Sequence, residues 1–147
     1  MDLKMILRQV EIFRGLDDVQ LERILAISHE QTYDEGAAIF RQYDEGDAIF
    51  FIGSGQVEVQ MKTKDGGTRA VIYLGEGQVF GEMALIDHGK RSASVLAIAS
   101  SAIIYSIPTE DFLSLCASDT AIGFVIMQNI AKDLSFKLRH QNIDLAG

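Results

Sequence analysis

The segment from Phe80 to Val95 combines residue types that suit the binding of an anion. Gly81 lets the backbone come close to a ligand, and the residues after it, read as a helical turn, offer unpaired N–H groups at a helix start. Arg91 follows a polar loop and carries a positive charge on a planar group that can donate to two phosphate oxygens. This combination predicts a phosphate site.

Glu82 stands beside this predicted site, where a carboxylate would repel a phosphate. Its presence is explained if the carboxylate accepts a hydrogen bond from a sugar hydroxyl instead. Gly81, Glu82 and Arg91 together therefore predict a ligand in which an anionic phosphate is joined to a ribose.

Two helices are predicted at the start of the chain, because apolar residues recur there at helical spacing. These residues are Leu3, Ile6, Leu7, Val10 and Phe13, followed by Leu21, Ile24 and Leu25. Asp17, with Gln20 three residues later, resembles a capping box that would open the second helix. We expect both helices to be scaffold and His29 to end a helix.

The middle of the chain, roughly residues 31–107, is predicted to be β. Ten of the thirteen glycines fall between Gly36 and Gly89, where they separate short β-prone runs. Asp65-Gly66-Gly67 predicts a hairpin turn between two of these runs. Many short strands at this spacing predict a sandwich or jelly roll. The candidate strands are Ala38–Arg41, Ala48–Ile52, Gln56–Lys62, Thr68–Leu74, Arg91–Ala97 and Ala102–Ile107.

Helices are predicted again after the strands. Pro108 would open a short helix that reaches Cys116, and a longer helix would run from about Asp119 to Gln141. We expect residues 1–147 to form a single domain, with the strands at about 31–107 and the C-terminal helices at about 109–141. The longer helix repeats an apolar residue at every fourth position, at Ile122, Ile126, Ile130, Leu134 and Leu138.

Composition and charge exclude several classes of protein. The longest apolar run, Ala121 to Met127, is too short to span a bilayer, so no membrane partner is predicted. The net charge is −8 and the basic residues are scattered, which argues against nucleic acid as a partner. The single Cys116 rules out an internal disulfide and suits a reducing, cytoplasmic location.

Catalysis is not predicted either. Jelly rolls also host metalloenzymes, but these need clustered imidazole and carboxylate ligands, and the three histidines are not spaced as H-x-H or H-x-x-x-H. Cys116 has no partner for a catalytic dyad and is interpreted as a half-buried structural thiol. We predict a sensor without a metal or a cofactor.

The run Gly81-Glu82-Met83-Ala84-Leu85, followed by Arg91-Ser92-Ala93, closely resembles the phosphate-binding cassette of the cyclic-nucleotide-binding domain family. This family includes bacterial catabolite-activator-type regulators, kinase regulatory subunits and nucleotide-gated channels. The similarity covers roughly Ile12 to Leu115. It extends upstream, in order and spacing, through Gly36, Ile39, Gly46-Asp47, Phe51-Ile52, Gly55 and Val57-Glu58-Val59.

The resemblance implies a mainly β fold, a double-stranded β-helix (jelly roll) with N-terminal helices and a C-terminal helix that serves as lid or dimer surface. It implies that Glu82 holds the ribose 2′-hydroxyl and that Arg91 pairs with the cyclic phosphate. Apolar residues of a facing strand, Val71 or Ile72, would touch the base. Backbone amides would complete the phosphate cradle near Met83, Ala84, Ser92 and Ala93.

Two features depart from the family pattern. Leu134 and Leu138 lie where the lid contact is expected, but Lys137 and Leu138 replace the polar residues that read adenine in the catabolite-activator branch. Lys90 stands where many members carry proline before the arginine. Members that favour guanine often have threonine after the arginine, and Ser92 is intermediate, so cyclic AMP is preferred and cyclic GMP is second.

The predicted function is a sensor that binds a cyclic nucleotide and signals through its C-terminal helix to an unidentified effector protein, with a homodimer through that helix as a further expectation. The alternative is a scaffold of this fold that binds no nucleotide and acts as an interaction module. Against it stands Arg91, since a buried guanidinium without a phosphate is uncompensated unless an acid pairs with it. The chain is either a stand-alone sensor or a piece of a longer protein.

Overall fold

The computed structural model of the protein describes residues 3–87, 89–98 and 100–141, apart from the side chains of Val71, Ala84, Asp87, Lys137 and Gln141. Two helices, α1 (Leu3–Gln9) and α2 (Asp18–Ala26), flank a short 3-10 turn (Glu11–Phe13). The predicted capping box is confirmed, because the Asp17 carboxylate accepts from the Gln20 N–H and the Gln20 side chain accepts from the Asp17 N–H, both at 2.8 Å.

The strands form two antiparallel four-stranded sheets, so the prediction of a mainly β fold with flanking helices is confirmed. The strand order is β1-β8-β3-β6 in one sheet and β2-β7-β4-β5 in the other. The strands are β1 (His29–Tyr33), β2 (Ala38–Phe40), β3 (Ala48–Ser54), β4 (Val57–Lys62), β5 (Thr68–Leu74), β6 (Val79–Phe80), β7 (Ser94–Ala97) and β8 (Ala102–Pro108).

The structure corrects the sequence predictions at β1, β6 and β7. His29 does not end a helix; it begins β1, a polar strand whose five residues all pair with β8. Its composition carries no β pattern, so the strand depends on its partner rather than on its own residues. Strand β6 has two residues and was not among the candidate strands, although Phe80 reads as a strand end in the sequence. Strand β7 begins at Ser94 instead of Arg91.

Strand β3 separates the two parts of the hydrophobic core. Because side chains alternate along a strand, Ile49 and Phe51 face a cluster built with the helices. Phe50 and Ile52 face the opposite way, into the cluster between the two sheets. The strand is buried over six of its seven residues, which explains why its sequence is continuously apolar.

Two helices follow the sheets, α4 (Thr109–Ser118) and α5 (Thr120–Gln141), as predicted. They approach closely at Gly123, where a Cβ atom would lie 3.0 Å from the Cys116 Cβ. The Asn129 amide ties α5 to the N-terminal segment by donating to the Ile12 and Arg14 carbonyls at 3.0 and 2.8 Å. Among the residues that the structure describes, none of the helices combines the length and the apolar composition that a membrane span requires.

Candidate functional site

A cavity of about 290 Å³ opens at the end of the core between the sheets. It is bordered by the segment before the short helix α3 (Ala84–Asp87) and by the residues that precede β7. The lining residues are Phe40, Val59, Leu74, Val79, Phe80, Gly81, Glu82, Met83, Gly89, Lys90, Arg91, Ser92, Ala93 and Val95.

The cavity brings together most of the residues predicted from the cassette. Six of them line it: Gly81, Glu82, Met83, Arg91, Ser92 and Ala93. In the turn at the start of α3 the Leu85 N–H donates to the Glu82 carbonyl at 3.1 Å. The Met83 and Ala84 amides come before Leu85 in the chain, at the start of this turn. The side chain of Ala84 lies outside the described residues.

Other predicted contacts are not at the cavity. Ile72 lies on β5, is 48% exposed and is not a lining residue, while the side chain of Val71 lies outside the described residues. On α5, Leu134 packs against the helical core and Leu138 is 51% exposed. Neither leucine lines the cavity. The lid contact and the base contact at β5 therefore stay predictions.

Arg91 is held in place by two backbone carbonyls. Its Nη1 donates to the Gly81 oxygen at 3.1 Å and its Nη2 to the Ala48 oxygen at 2.6 Å. The guanidinium also lies over the Phe40 ring, 4.2 Å from its centre, a distance at which the ring face attracts a cation. These contacts place a fixed positive charge in the cavity wall.

The charge of Arg91 is poorly compensated within the described residues. Arg91 is 6% exposed, and its Nε is buried without a described hydrogen-bond acceptor. The ion pair that it makes is with Asp47, whose Oδ1 is 4.0 Å from Nη2 and whose side chain is 87% exposed. Burial lowers the pKa of the Arg91 guanidinium, and the nearby negative charges of Asp47, Asp44 and Glu82 oppose this effect. A buried cation with a spare donor fits an anionic ligand.

Gly81 makes this arrangement possible. Its φ of +79° is in the left-handed region, which residues other than glycine rarely adopt. A Cβ atom at this position would lie 2.7 Å from the Arg91 Nη1, which is too close. The glycine predicted to allow close backbone approach therefore makes room for the guanidinium itself.

Sequence reasoning missed the loop that holds the Arg91 backbone. The Tyr43 N–H donates to the Arg91 oxygen and the Arg91 N–H donates to the Asp44 oxygen, both at 2.8 Å. These bonds lie outside strand β7, which begins three residues later, at Ser94. Tyr43 has a φ of +77°, a strained conformation for a residue other than glycine. No local signal in the sequence joins this loop to Arg91.

The apolar walls of the cavity were also missed. Val59 on β4, Leu74 on β5 and Val95 on β7 line it, together with Phe40 on β2. The polar–apolar alternation of Val57-Glu58-Val59 indicated that Val57 and Val59 share a face, but not what that face covers.

The metal site and the reactive thiol that the sequence analysis considered can be compared with the described part of the chain. No group of three or more His, Cys, Asp or Glu side chains there is arranged to hold a metal ion. Cys116 is half-buried, as predicted, and burial with the nearby Asp119 charge raises the pKa of its thiol. A raised pKa disfavours the thiolate, which is the reactive form.

Comparison with known proteins identifies the family. The sequence model of the cyclic nucleotide-binding domain matches residues 30–119, which contain the cavity and its cassette. This chain belongs to the cyclic nucleotide-binding domain family. The resemblance inferred from the cassette residues is therefore confirmed.

Two curated members of the cyclic nucleotide-binding domain family illustrate the range of relatives. The cyclic AMP receptor protein of Thermus thermophilus is 31% identical over 134 residues, which cover 91% of this chain and 60% of that protein. The cGMP-dependent protein kinase egl-4 of Caenorhabditis briggsae is 34% identical over 110 residues, 74% of this chain and 15% of the kinase. The chain thus spans less than two thirds of either relative.

Solved structures agree with this family assignment. The Thermus thermophilus catabolite activator protein superposes with a TM-score of 0.82 at 31% identity, over 92% of this chain and 62% of that one. The regulatory domain of Toxoplasma gondii PKA, solved with cAMP, superposes with a TM-score of 0.70 at 28% identity, over 76% of this chain and 42% of that one.

Proposed function

We propose that this domain binds a cyclic mononucleotide in the cavity, with the cyclic phosphate at Arg91. The observation that carries the proposal is the state of Arg91, a buried guanidinium with an unused Nε donor in the wall of an open cavity. An anionic phosphate would supply both the missing acceptor and the counter-charge. The PKA regulatory domain that superposes on this chain was solved with cAMP, which supports the proposal by analogy.

The other cassette residues have proposed roles that agree with their positions. Glu82 lines the cavity and would accept from the ribose 2′-hydroxyl. The backbone near Met83, Ala84, Ser92 and Ala93 would donate to the phosphate. These assignments rest on the family cassette and on the lining of the cavity.

We propose cyclic AMP as the preferred ligand, with cyclic GMP second. The walls away from the cassette are apolar at Val59, Leu74 and Val95. Guanine carries an extra exocyclic polar group that loses water on entering such walls, so adenine has the smaller desolvation cost. The Thermus relative is named a cyclic AMP receptor and the Caenorhabditis relative a cGMP-dependent kinase, so both ligands belong in the test.

A scaffold that binds no nucleotide is the second candidate. The observation in its favour is that the Gly81 and Ala48 carbonyls accept hydrogen bonds from the guanidinium and so occupy two of its donor groups.

Thermal melting distinguishes the two candidates. A ligand that binds only the folded state stabilises it by about 2.7 kcal/mol at a hundredfold excess over Kd. We expect cyclic AMP to raise the melting temperature most, cyclic GMP less, and 5′-AMP, which lacks the cyclic diester, least. If neither cyclic nucleotide raises the melting temperature, the scaffold is the correct interpretation.

We further propose that α5 transmits the signal by pairing with a second copy or with an effector protein. Phe124 and Leu138 are 67% and 51% exposed, and with the exposed Ala131 they are spaced seven residues apart along one face. Such a spacing is typical of helices that pair along a seam. A sensor role without catalysis and a cytoplasmic location stay predictions.

Sedimentation velocity over a concentration series tests the second copy. We expect the unsubstituted protein to form dimers and Leu138→Glu to sediment as a monomer, because the new charge would be buried in the seam. Val19→Glu, at an exposed apolar position of α2, is the control and should still form dimers. A monomer at all concentrations of unsubstituted protein would leave the effector protein as the proposed partner.

A further inference from the structure

Lys90 gives the cavity a second positive charge. It lines the cavity and directly precedes Arg91 in the chain. Its backbone is positioned by an antiparallel bridge to Glu45 in the loop before β3. Lys90 is exposed and makes no ion pair with the described residues. Its ammonium is therefore available to a ligand.

The charge balance at the cavity depends on this lysine. Three charged residues in the described part of the chain line the cavity: Glu82, Lys90 and Arg91. With the Asp47 carboxylate, which pairs with Arg91 at 4.0 Å, the formal charges sum to zero, and without Lys90 the sum would be −1. The whole chain carries a net charge of −8, so an approaching anion meets a repulsive field over most of the surface.

The two cations differ in their access to an approaching ligand. Arg91 is 6% exposed and is held by two carbonyls, so it cannot reach toward solvent. A lysine has a flexible four-carbon stem and a strongly hydrated, mobile charge. Charges at the mouth of a site mainly set the association rate, whereas buried, hydrogen-bonded charges mainly set the dissociation rate.

We infer that Lys90 recruits the ligand phosphate electrostatically and that Arg91 then holds it. The inference rests on the proposed function and adds a separate kinetic role for a residue outside the family cassette. The inference requires the ligand to place a negative charge near the Lys90 side of the cavity. A cyclic phosphodiester carries such a charge.

The test is stopped-flow binding of a fluorescent cyclic AMP to three variants of the full chain. Lys90→Gln and Lys64→Gln each change the formal net charge from −8 to −9, but Lys64 lies on the exposed β4–β5 turn and away from the cavity. Lys90→Arg keeps the charge. Ligand-free melting temperatures establish that all variants are folded.

At low salt we expect Lys90→Gln to lower the association rate constant by about threefold to tenfold relative to Lys64→Gln, with the dissociation rate constant within roughly twofold. Lys90→Arg should match the unsubstituted protein. In about 1 M salt, where the Debye length is about 3 Å, the difference should vanish.

Two results would overturn the recruiting role while leaving nucleotide binding intact: equal association rates for Lys90→Gln and Lys64→Gln, or a loss of affinity that appears only as faster dissociation. Failure of the unsubstituted protein to bind the fluorescent nucleotide would overturn both this inference and the proposed function. The two failures are therefore distinguishable.

Discussion

Arg91→Ala is expected to weaken cyclic AMP binding by roughly thirtyfold to a few thousandfold. Removing one partner of a buried, hydrogen-bonded charge pair costs about 2–5 kcal/mol, and each 1.4 kcal/mol is about a factor of ten in Kd. The loss should fall in the upper part of this range if the phosphate accepts from the unused Nε donor and also compensates the charge of Arg91. Arg91 is 6% exposed, so little water would replace the hydrogen bonds of the lost guanidinium. Isothermal titration calorimetry measures the change.

Two further variants make the result for Arg91 specific. Arg91→Lys keeps the charge but loses the planar fork, so it should recover part of the affinity only. Arg69→Ala removes the same charge from an exposed position on β5 and should bind nearly as the unsubstituted protein does.

The ligand-free stability of Arg91→Ala is a necessary control, because opposing effects act on it. The substitution relieves the desolvation of a buried cation, yet it removes the donors from the Gly81 and Ala48 carbonyls. Full affinity in a folded Arg91→Ala protein would contradict the phosphate role.

Glu82→Ala is expected to weaken cyclic AMP binding by about tenfold to a hundredfold and to spare its 2′-deoxy analogue. A hydrogen bond to a charged group contributes about 1.5–3 kcal/mol, and the analogue lacks the hydroxyl that Glu82 would bind. The penalty for removing the 2′-hydroxyl should therefore be large in the unsubstituted protein and nearly absent in Glu82→Ala. Titration of both ligands into both proteins completes the cycle.

The control for Glu82 is Glu76→Ala, which removes a nearby exposed carboxylate that does not line the cavity. It should preserve the penalty for the 2′-deoxy analogue. Equal losses for both ligands on substituting Glu82 would show that this carboxylate positions the loop or Arg91 rather than the ribose.

The sequence by itself determined those features that depend on residues close together in the chain. The capping box at Asp17 and the hairpin at Asp65-Gly66-Gly67 are local hydrogen-bond patterns, and both are present. Strands β2, β3, β4, β5 and β8, with apolar or alternating residues, were predicted to within two residues of their ends, because periodicity reports which faces are buried. The cassette could be predicted because it is also local: its glycine, carboxylate and arginine lie within eleven consecutive residues.

The tertiary structure alone decided what surrounds Arg91. The Ala48 carbonyl is 43 positions away in the chain, and the Phe40 ring and the Tyr43 and Asp44 backbone are about as distant. Strand β1 likewise depends on β8, whose paired residues lie 69 to 77 positions later in the chain. These contacts arise when separate strands pair and pack, and their residue types do not differ from those of ordinary core and loop positions. Sequence could therefore name the charged residue, while only packing could show that it is buried with a donor to spare.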